Sequence, residues 1–464
     1  MKTKSFKILC FGLFAVASFY VFKSWQVYSD KSTMDIGKVE LSQVKLDLEE
    51  VKSTIKEPIW LVKTKNPVVA FRIRFKNEGE RSFSPGLLDI VVSTLMEGAG
   101  NRDATALKKV LDDNSISMSI SSSLDELTVD VSTVSSNFGL SIDILSDIIS
   151  KAHLKAEKLE INKQGLMVSL QQNKFSTGTL ADDAMKQIIY PGDHPYRITT
   201  DDLMKHIPTY TKEQCDGCYK SMFSADDAVI TIAGNIDGKV VEEEFKKLFA
   251  SVAAKKNDFK NAVQNTDLPH QEKPVHVELD NPQSTVLFSL PGLQRTSQER
   301  FALRIANLVF GSGGFSSKLF KHVRNQHGLV YGIFSQISDF DMHSHISGMA
   351  KTRPENVSLV IKDIKEECAK LYNDGITKEE LEYFKTHKFS KNVIGSTNAA
   401  LDFVDGCRFD YIKLENVNHA LNNYYNLTVE DVNKVIKKVF DPKTLVFVSS
   451  GKSPIEKESK NENN

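Results

Sequence analysis

The stretch Gly311–Ser335, GSGGFSSKLFKHVRNQHGLVYGIFS, organises the reading of this chain. A glycine-rich turn at Gly311, Gly313 and Gly314 feeds a short helix. Arg324 sits near the helix end, Gly328 breaks it, and Tyr331 opens an alternating apolar segment that predicts a strand. Arg324 and Tyr331 therefore flank one turn. A guanidinium fork and a phenol so placed can converge on one carbonyl oxygen, both as donors, which suits gripping a peptide or an oxyanion. The glycines would let backbone approach closely or act as a hinge. By residue type alone the plainer outcome is a helix-end arginine and a strand tyrosine packed on a core.

The 464 residues allow two or more domains with full cores, and 41% hydrophobic with 26% charged residues is ordinary globular composition. With 59 basic against 60 acidic residues, no global field recruits nucleic acid or an acidic membrane. Met1–Asp30 has the form of an export signal: Lys2, Lys4 and Lys7 precede the low-polarity run Ile8–Phe22, with Ala15-Val16-Ala17 as a cleavage site. At about 1.5 Å per residue that run reaches ~22 Å, short of a ~30 Å hydrocarbon core, although Phe19–Trp25 would extend it into an uncleaved anchor. The expected location is the periplasm or the outer face of the inner membrane. Cys215-Asp-Gly-Cys218 lacks the second ligand pair of a zinc site and the βαβ context of a redox motif, so a local disulfide is the expected use.

Alternation predicts strands at Val39–Val44, Ile59–Lys63 and Val68–Phe75, then a helix at Ser84–Glu97 with Pro85 behind a Ser84 cap and Gly98 as its stop. A helix near Gly100–Asp113, a hairpin at Ser115–Ser123 and Leu127–Ser132, and helices at Phe138–Lys151, Ala156–Asn173, Thr211–Phe223 and Val240–Phe249 follow, with a strand at Ala228–Gly234. A second unit repeats the order. It has strands near Val275–Leu279, Thr285–Leu290, Val330–Ser338, His343–Met349 and Leu445–Ser449, and helices at Gln298–Phe310, Glu355–Tyr372, Lys378–Lys391, Asn398–Asp410 and Val429–Phe440. The expected division is a signal or anchor over 1–30, domains over 31–250 and 275–451, a charged linker over 251–274, and a disordered tail over 452–464.

The motif G-G-F-S-S-K-L-F followed by R-x-x-x-G-L-V-Y resembles the C-terminal half of the insulinase/pitrilysin family of zinc metallopeptidases, processing-peptidase-like branch, and the resemblance runs from about Val39 to Gly451. It implies an α+β fold of two duplicated half-units, each an antiparallel-rich sheet flanked by helices, forming a clamshell across a peptide-sized cavity. It also implies that Arg324 and Tyr331 hold substrate. Active members carry H-x-x-E-H on the first helix, with two zinc ligands and a general base on one face, and a further Glu ligand on a later helix. Here the matching positions are Asp89, Val92 and Ser93, and the window Gln164–Asn173 holds no Asp or Glu. Asp89, on an otherwise apolar helix, reads either as a solvated face or as a charge aimed at a partner or substrate.

Displaced residues offer little to rebuild the site. The 11 histidines are scattered; His343 and His345 share a strand face and permit two-ligand geometry, but such pairs are common on exposed strands, and His194 sits in a loop with an expected structural role. The chain thus has the gripping pair without the water-activating half. What the resemblance implies is a non-catalytic, substrate-binding subunit of a heteromeric zinc endopeptidase. It would bind no cofactor itself; zinc is expected on a homologous partner with intact H-x-x-E-H, whose activated water the pair would serve by stabilising the oxyanion. The alternatives are a structural or peptide-binding module without a role in proteolysis, and a divergent peptidase active alone.

Overall fold

A computed structural model of the chain describes residues 45–76, 79–250, 252, 264–386 and 396–453. The run expected to act as an export signal, the strand expected at Val39–Val44, much of the charged stretch and nearly all of the tail lie outside the described residues. Among those described, no helix is long and apolar enough to cross a membrane.

The first half runs β1 Asp47–Val51, β2 Ile59–Lys63, β3 Val68–Lys76, α1 Leu87–Thr94, α2 Ala104–Asp113, β4 Ser117–Ser122, β5 Glu126–Val134, α3 Phe138–Lys151, α4 Ala156–Lys174, α5 Thr177–Ile189, α6 Thr200–His206, α7 Lys212–Ser221, β6 Ala228–Gly234 and α8 Gly238–Phe249. The second runs β7 Val275–Glu278, β8 Ser284–Pro291, α9 Arg300–Asn307, β9 Val330–Asp339, β10 Ser344–Thr352, α10 Val357–Asp374, α11 Lys378–Phe384, α12 Thr397–Phe409, α13 Val417–Asn426, α14 Val429–Val439 and β11 Val446–Gly451. The sheets are ordered β1-β2-β6-β3-β5-β4 and β9-β10-β8-β11-β7. Apart from the extra strand β1 the two orders are the same, down to one parallel pair in each, β2 with β6 and β7 with β11. The halves are topological duplicates.

Alternation along β3 explains how each sheet is covered. Val69, Phe71, Ile73 and Phe75 point into the first half's own core, where Phe71 meets Phe138 and Phe245 edge-on at 5.8 and 5.5 Å. Ala70, Arg72 and Arg74 point the other way, onto α12 of the second half. The second sheet mirrors this. Val286, Phe288 and Leu290 of β8 face their own helices, while Leu287 packs with Val446 and Val448 against Ala181, Met185 and Ile189 of α5. Each half roofs the other's sheet with one helix.

Three sequence expectations change. Helix α1 starts at Leu87, with Gly86 as its cap in a left-handed conformation (φ 78°) and Ser84 contributing not a side-chain cap but its carbonyl, which accepts from the Leu87 N–H at 3.0 Å; a side chain at Gly86 would collide with Ile207. Residues 177–189, read from sequence without an element, form α5. The described part of the expected linker lies along the second sheet, where Asn265 bridges to His343 and the Gln271 amide makes both hydrogen bonds to the Phe447 backbone.

Asp405 on α12 is 2% exposed and accepts from Arg72 and Arg74 of β3 and from Thr231 of β6. Burial pushes its carboxyl up, but Arg74 and Arg72 together hold it below the ordinary aspartate value. Its contribution to stability is thus complete above the unfolded aspartate pKa and is lost as pH falls through the depressed folded value. Replacing one partner of such a buried cluster strands the others, so Asp405→Asn is expected to cost about 3–5 kcal/mol, read as a lower urea midpoint at neutral pH with an unchanged slope.

Candidate functional site

The motif stretch folds with its glycines turned inward. A side chain at Gly311 would strike Ser335 of β9, whose hydroxyl donates to Asn307 Oδ1 at 2.6 Å. One at Gly313 would strike the Leu308 carbonyl and the Phe384 ring, and Gly314 is left-handed at φ 65°. The close backbone approach expected of this turn is therefore to the strand and helix beside it. Phe320–Gln326 then winds as a π helix. Arg324 is half-buried, with its guanidinium 4.7 Å above the Phe320 ring.

Tyr331 is 61% exposed at a bulge in β9, between the pairs Val330 with Thr352 and Gly332 with Lys351. Its phenol hydrogen-bonds to Arg353 and raises that guanidinium's pKa. Among the described residues no hydrogen bond or ring contact joins Arg324 to Tyr331. Both flank the start of β9, an edge strand whose ladder partner among the described strands is β10.

The positions matching the zinc motif are filled differently. Asp89 is half-buried: it accepts from Ser122 at 3.0 Å and faces Glu80, which precedes α1. Burial, then the charge of Asp89, push the Glu80 carboxyl up to about 8 against the pull of Lys186 on α5, and burial raises Asp89 despite the Ser122 hydrogen bond. Val92 packs on the core, and the Ser93 hydroxyl donates to the Ile90 carbonyl at 2.9 Å. Asn162 of α4 donates to the Ser93 carbonyl at 3.2 Å and to Thr94 Oγ1 at 2.8 Å. An apolar side chain, a satisfied hydroxyl and an amide do not fit a catalytic zinc ion, which needs imidazole and carboxylate donors around an open position.

Other expectations also shift. His343 and His345 lie on no exposed face; at 1% and 4% exposure they pack against Tyr190, with their Nδ1 atoms 3.3 Å apart. Burial holds His345 down to about 3, and His194 stacks on Tyr190 at 5.0 Å. Cys215 and Cys218 are both free thiols rather than a disulfide: at i and i+3 of α7 they face the first core, and burial pushes Cys215 up, leaving an inert thiol. A cleft of about 730 Å³ opens beside the start of α1, lined by Arg81, Pro85, His194, Arg197 and His206. Another of about 810 Å³ lies between Lys45–Leu48 and Lys413–Asn418, and neither is lined by Arg324 or Tyr331. Glu80 and Lys186 escaped the sequence reading because nothing local ties them to Asp89; only the placement of α5 does.

Residues 209–387 match the family model described as the peptidase M16 inactive domain. An uncharacterized zinc protease of Streptomyces coelicolor is 22% identical over 373 residues, 78% of this chain and 80% of the relative. Among solved structures, a peptidase M16 inactive domain from Pseudomonas fluorescens superposes with a TM-score of 0.77 at 20% identity, covering 88% of this chain and 98% of that one. The periplasmic protease PqqL from Escherichia coli gives 0.68 at 16% identity, covering 94% of this chain and 50% of that one.

The Glu80 shift has a measurable consequence. An unfolded glutamate releases its proton near 4.5 whereas the folded one holds it to about 8, so across that interval rising pH favours the unfolded chain. Glu80→Gln is expected to flatten this decline and to exceed the wild type in stability at about pH 8, measured by urea unfolding at several pH values.

Proposed function

We propose, from the premise that this chain belongs to the M16 (insulinase/pitrilysin) family of metallopeptidases and is of its inactive-domain type, that it is the substrate-binding subunit of a heteromeric zinc endopeptidase. The observation that carries the reading is an asymmetry between equivalent places in the two halves. Between β3 and β4, where the family holds its metal, α1 presents Asp89, Val92 and Ser93, closed over by Asn162. Between β8 and β9 the chain keeps an arginine and an exposed tyrosine at the head of an edge strand.

An edge strand offers unpaired N–H and C=O groups, and an extended peptide can add to it as a further strand with little demand on its sequence. A peptide added along β9 would pass the Tyr331 phenol and come near the Arg324 guanidinium, both donors suited to a backbone carbonyl or to the oxyanion it becomes. The water-activating metal would be supplied by a homologous partner carrying H-x-x-E-H. Action outside the cytoplasm is supported by the basic residues Lys2, Lys4 and Lys7 ahead of the run Ile8–Phe22, and by the likeness to a protease described as periplasmic.

Co-expressed with that partner, Arg324→Ala or Tyr331→Phe is expected to lower peptide turnover by about 10- to 1,000-fold, as for loss of a transition-state donor, with the zinc content of the complex unchanged. Unaltered turnover in both variants refutes the gripping role. Chelator-sensitive peptide hydrolysis by the purified chain alone refutes the helper assignment.

A further inference from the structure

We propose that His322, His327 and Asp363 form a binding site for a divalent transition-metal ion of the zinc type, separate from the family's zinc position, which pins the Arg324 turn to α10. One ligand atom from each of the three residues lies within 4.8 Å of the other two. The π winding of Phe320–Gln326 produces this grouping. At 3.6 residues per turn an α-helix would point side chains five apart away from each other, whereas here the His327 amide closes onto the His322 carbonyl at 3.2 Å and the rings sit 4.4 Å apart. Asp363 and Glu367, one turn apart on α10, face them at 5% and 6% exposure.

Hydrogen bonds already orient the first imidazole. His322 Nδ1 lies 3.0 Å from Gln326 Oε1 and 3.5 Å from Glu367 Oε1, both acceptors, so its proton belongs on Nδ1. The lone pair is then on Nε2, a buried atom with no hydrogen-bond partner among the described residues, 4.0 Å from Asp363 Oδ1. A carboxylate and an amide holding the far side of an imidazole is the arrangement that orients metal-bound histidines. His327 Nδ1 lies 2.6 Å from Asp363 Oδ2, and with its proton on the outer nitrogen it turns a second lone pair to the same point. Asp363 is buried, and among the described residues its ion-pair contacts are with these two imidazoles.

Two imidazole nitrogens and a carboxylate oxygen are the donors zinc prefers, and bonds of ~2.0–2.2 Å require only small shifts of these side chains. His327, 43% exposed, gives the ion a path in and leaves a fourth position for water. The site does not depend on the proposed peptidase role, and binding is measured without any substrate.

The test is titration of the metal-stripped full-length chain with zinc chloride against a chromophoric chelator. One equivalent is expected to bind, with affinity falling at least about 10- to 100-fold in His322→Gln, in His327→Gln and in Asp363→Asn. The double variant Glu80→Gln/Asp89→Asn is expected to bind as the wild type does. X-ray absorption of the zinc-loaded wild type, which needs no variant to fold, is expected to show imidazole and oxygen scatterers without sulfur. Absence of stoichiometric binding, undiminished affinity in the folded histidine variants, loss of zinc from the Glu80/Asp89 variant, or sulfur in the metal shell would each overturn the proposal.

Discussion

The structure depends on an exchange of helices. A sheet with one oily face buried under its own helices still exposes its other face, and each half of this chain covers that face with a helix borrowed from the other, α12 over the first sheet and α5 over the second. The halves therefore do not merely abut. Removing either leaves a sheet face uncovered in the other, so the fold is cooperative across the seam in a way that two tethered domains are not.

Chemistry differs between the two roofs. Under α5 the contact is mostly apolar, with Thr177 and Thr285 sharing one hydrogen bond at 2.8 Å. Under α12 an apolar contact of Ala400, Leu401 and Val404 with Trp60, Val62 and Ala70 is joined by buried ion pairs. Arg72 and Arg74 converge on Asp405, Arg408 caps the Ile230 and Pro58 carbonyls while lying 4.7 Å from the Trp60 ring, and the Phe409 ring is approached by the guanidiniums of Arg74 and Arg295. From there the seam continues through Asp339 and Asp341 to Arg81, Asp125 and Tyr196. Such a lattice adds little net stability over apolar packing, but it penalises any misplacement of α12, since a shift would strand a buried charge. Its role is to fix register between halves of different sequence.

Much of the fold was legible because strand alternation and long amphipathic helices are local signals. Phe138–Lys151 and Ala228–Gly234 stand at their expected boundaries, and the repeat of element order anticipated the shared topology. What escaped was whatever the seam dictates. Arg72 and Arg74 alternate with apolar residues as a solvated face would, and their burial becomes visible only once α12 is placed. The α5 segment, TGTLADDAMKQII, shows apolar positions at Ala181, Met185 and Ile189, a narrow stripe whose partner lies in the other half. The candidate site followed the same division. Arg324, Tyr331 and the positions read against the zinc motif stood in contiguous stretches, whereas Glu80, Lys186 and Asn162 are joined to Asp89 and Thr94 only through space.

The two equivalent inter-strand segments show how one topology accommodates different local structure. Both leave a strand in the sheet centre, pass a Gly-x-Gly turn at Gly98 and Gly100 or at Gly311 and Gly313, and return at the sheet edge. In the first half the turn leads into a regular α-helix, α2, and the groups near α1 are tied to one another: Asp89 with Ser122, Ser93 with its own helix, Asn162 across to Thr94. In the second the turn leads into a π helix, which spreads its side chains off the usual helical rows. A π turn is a poorer helix than the α form, and sequences retain one where the altered side-chain directions are useful. Here the irregular winding sets Arg324 near the edge strand β9 and brings His322 toward Asp363, whereas the equivalent segment of the first half stays a regular helix.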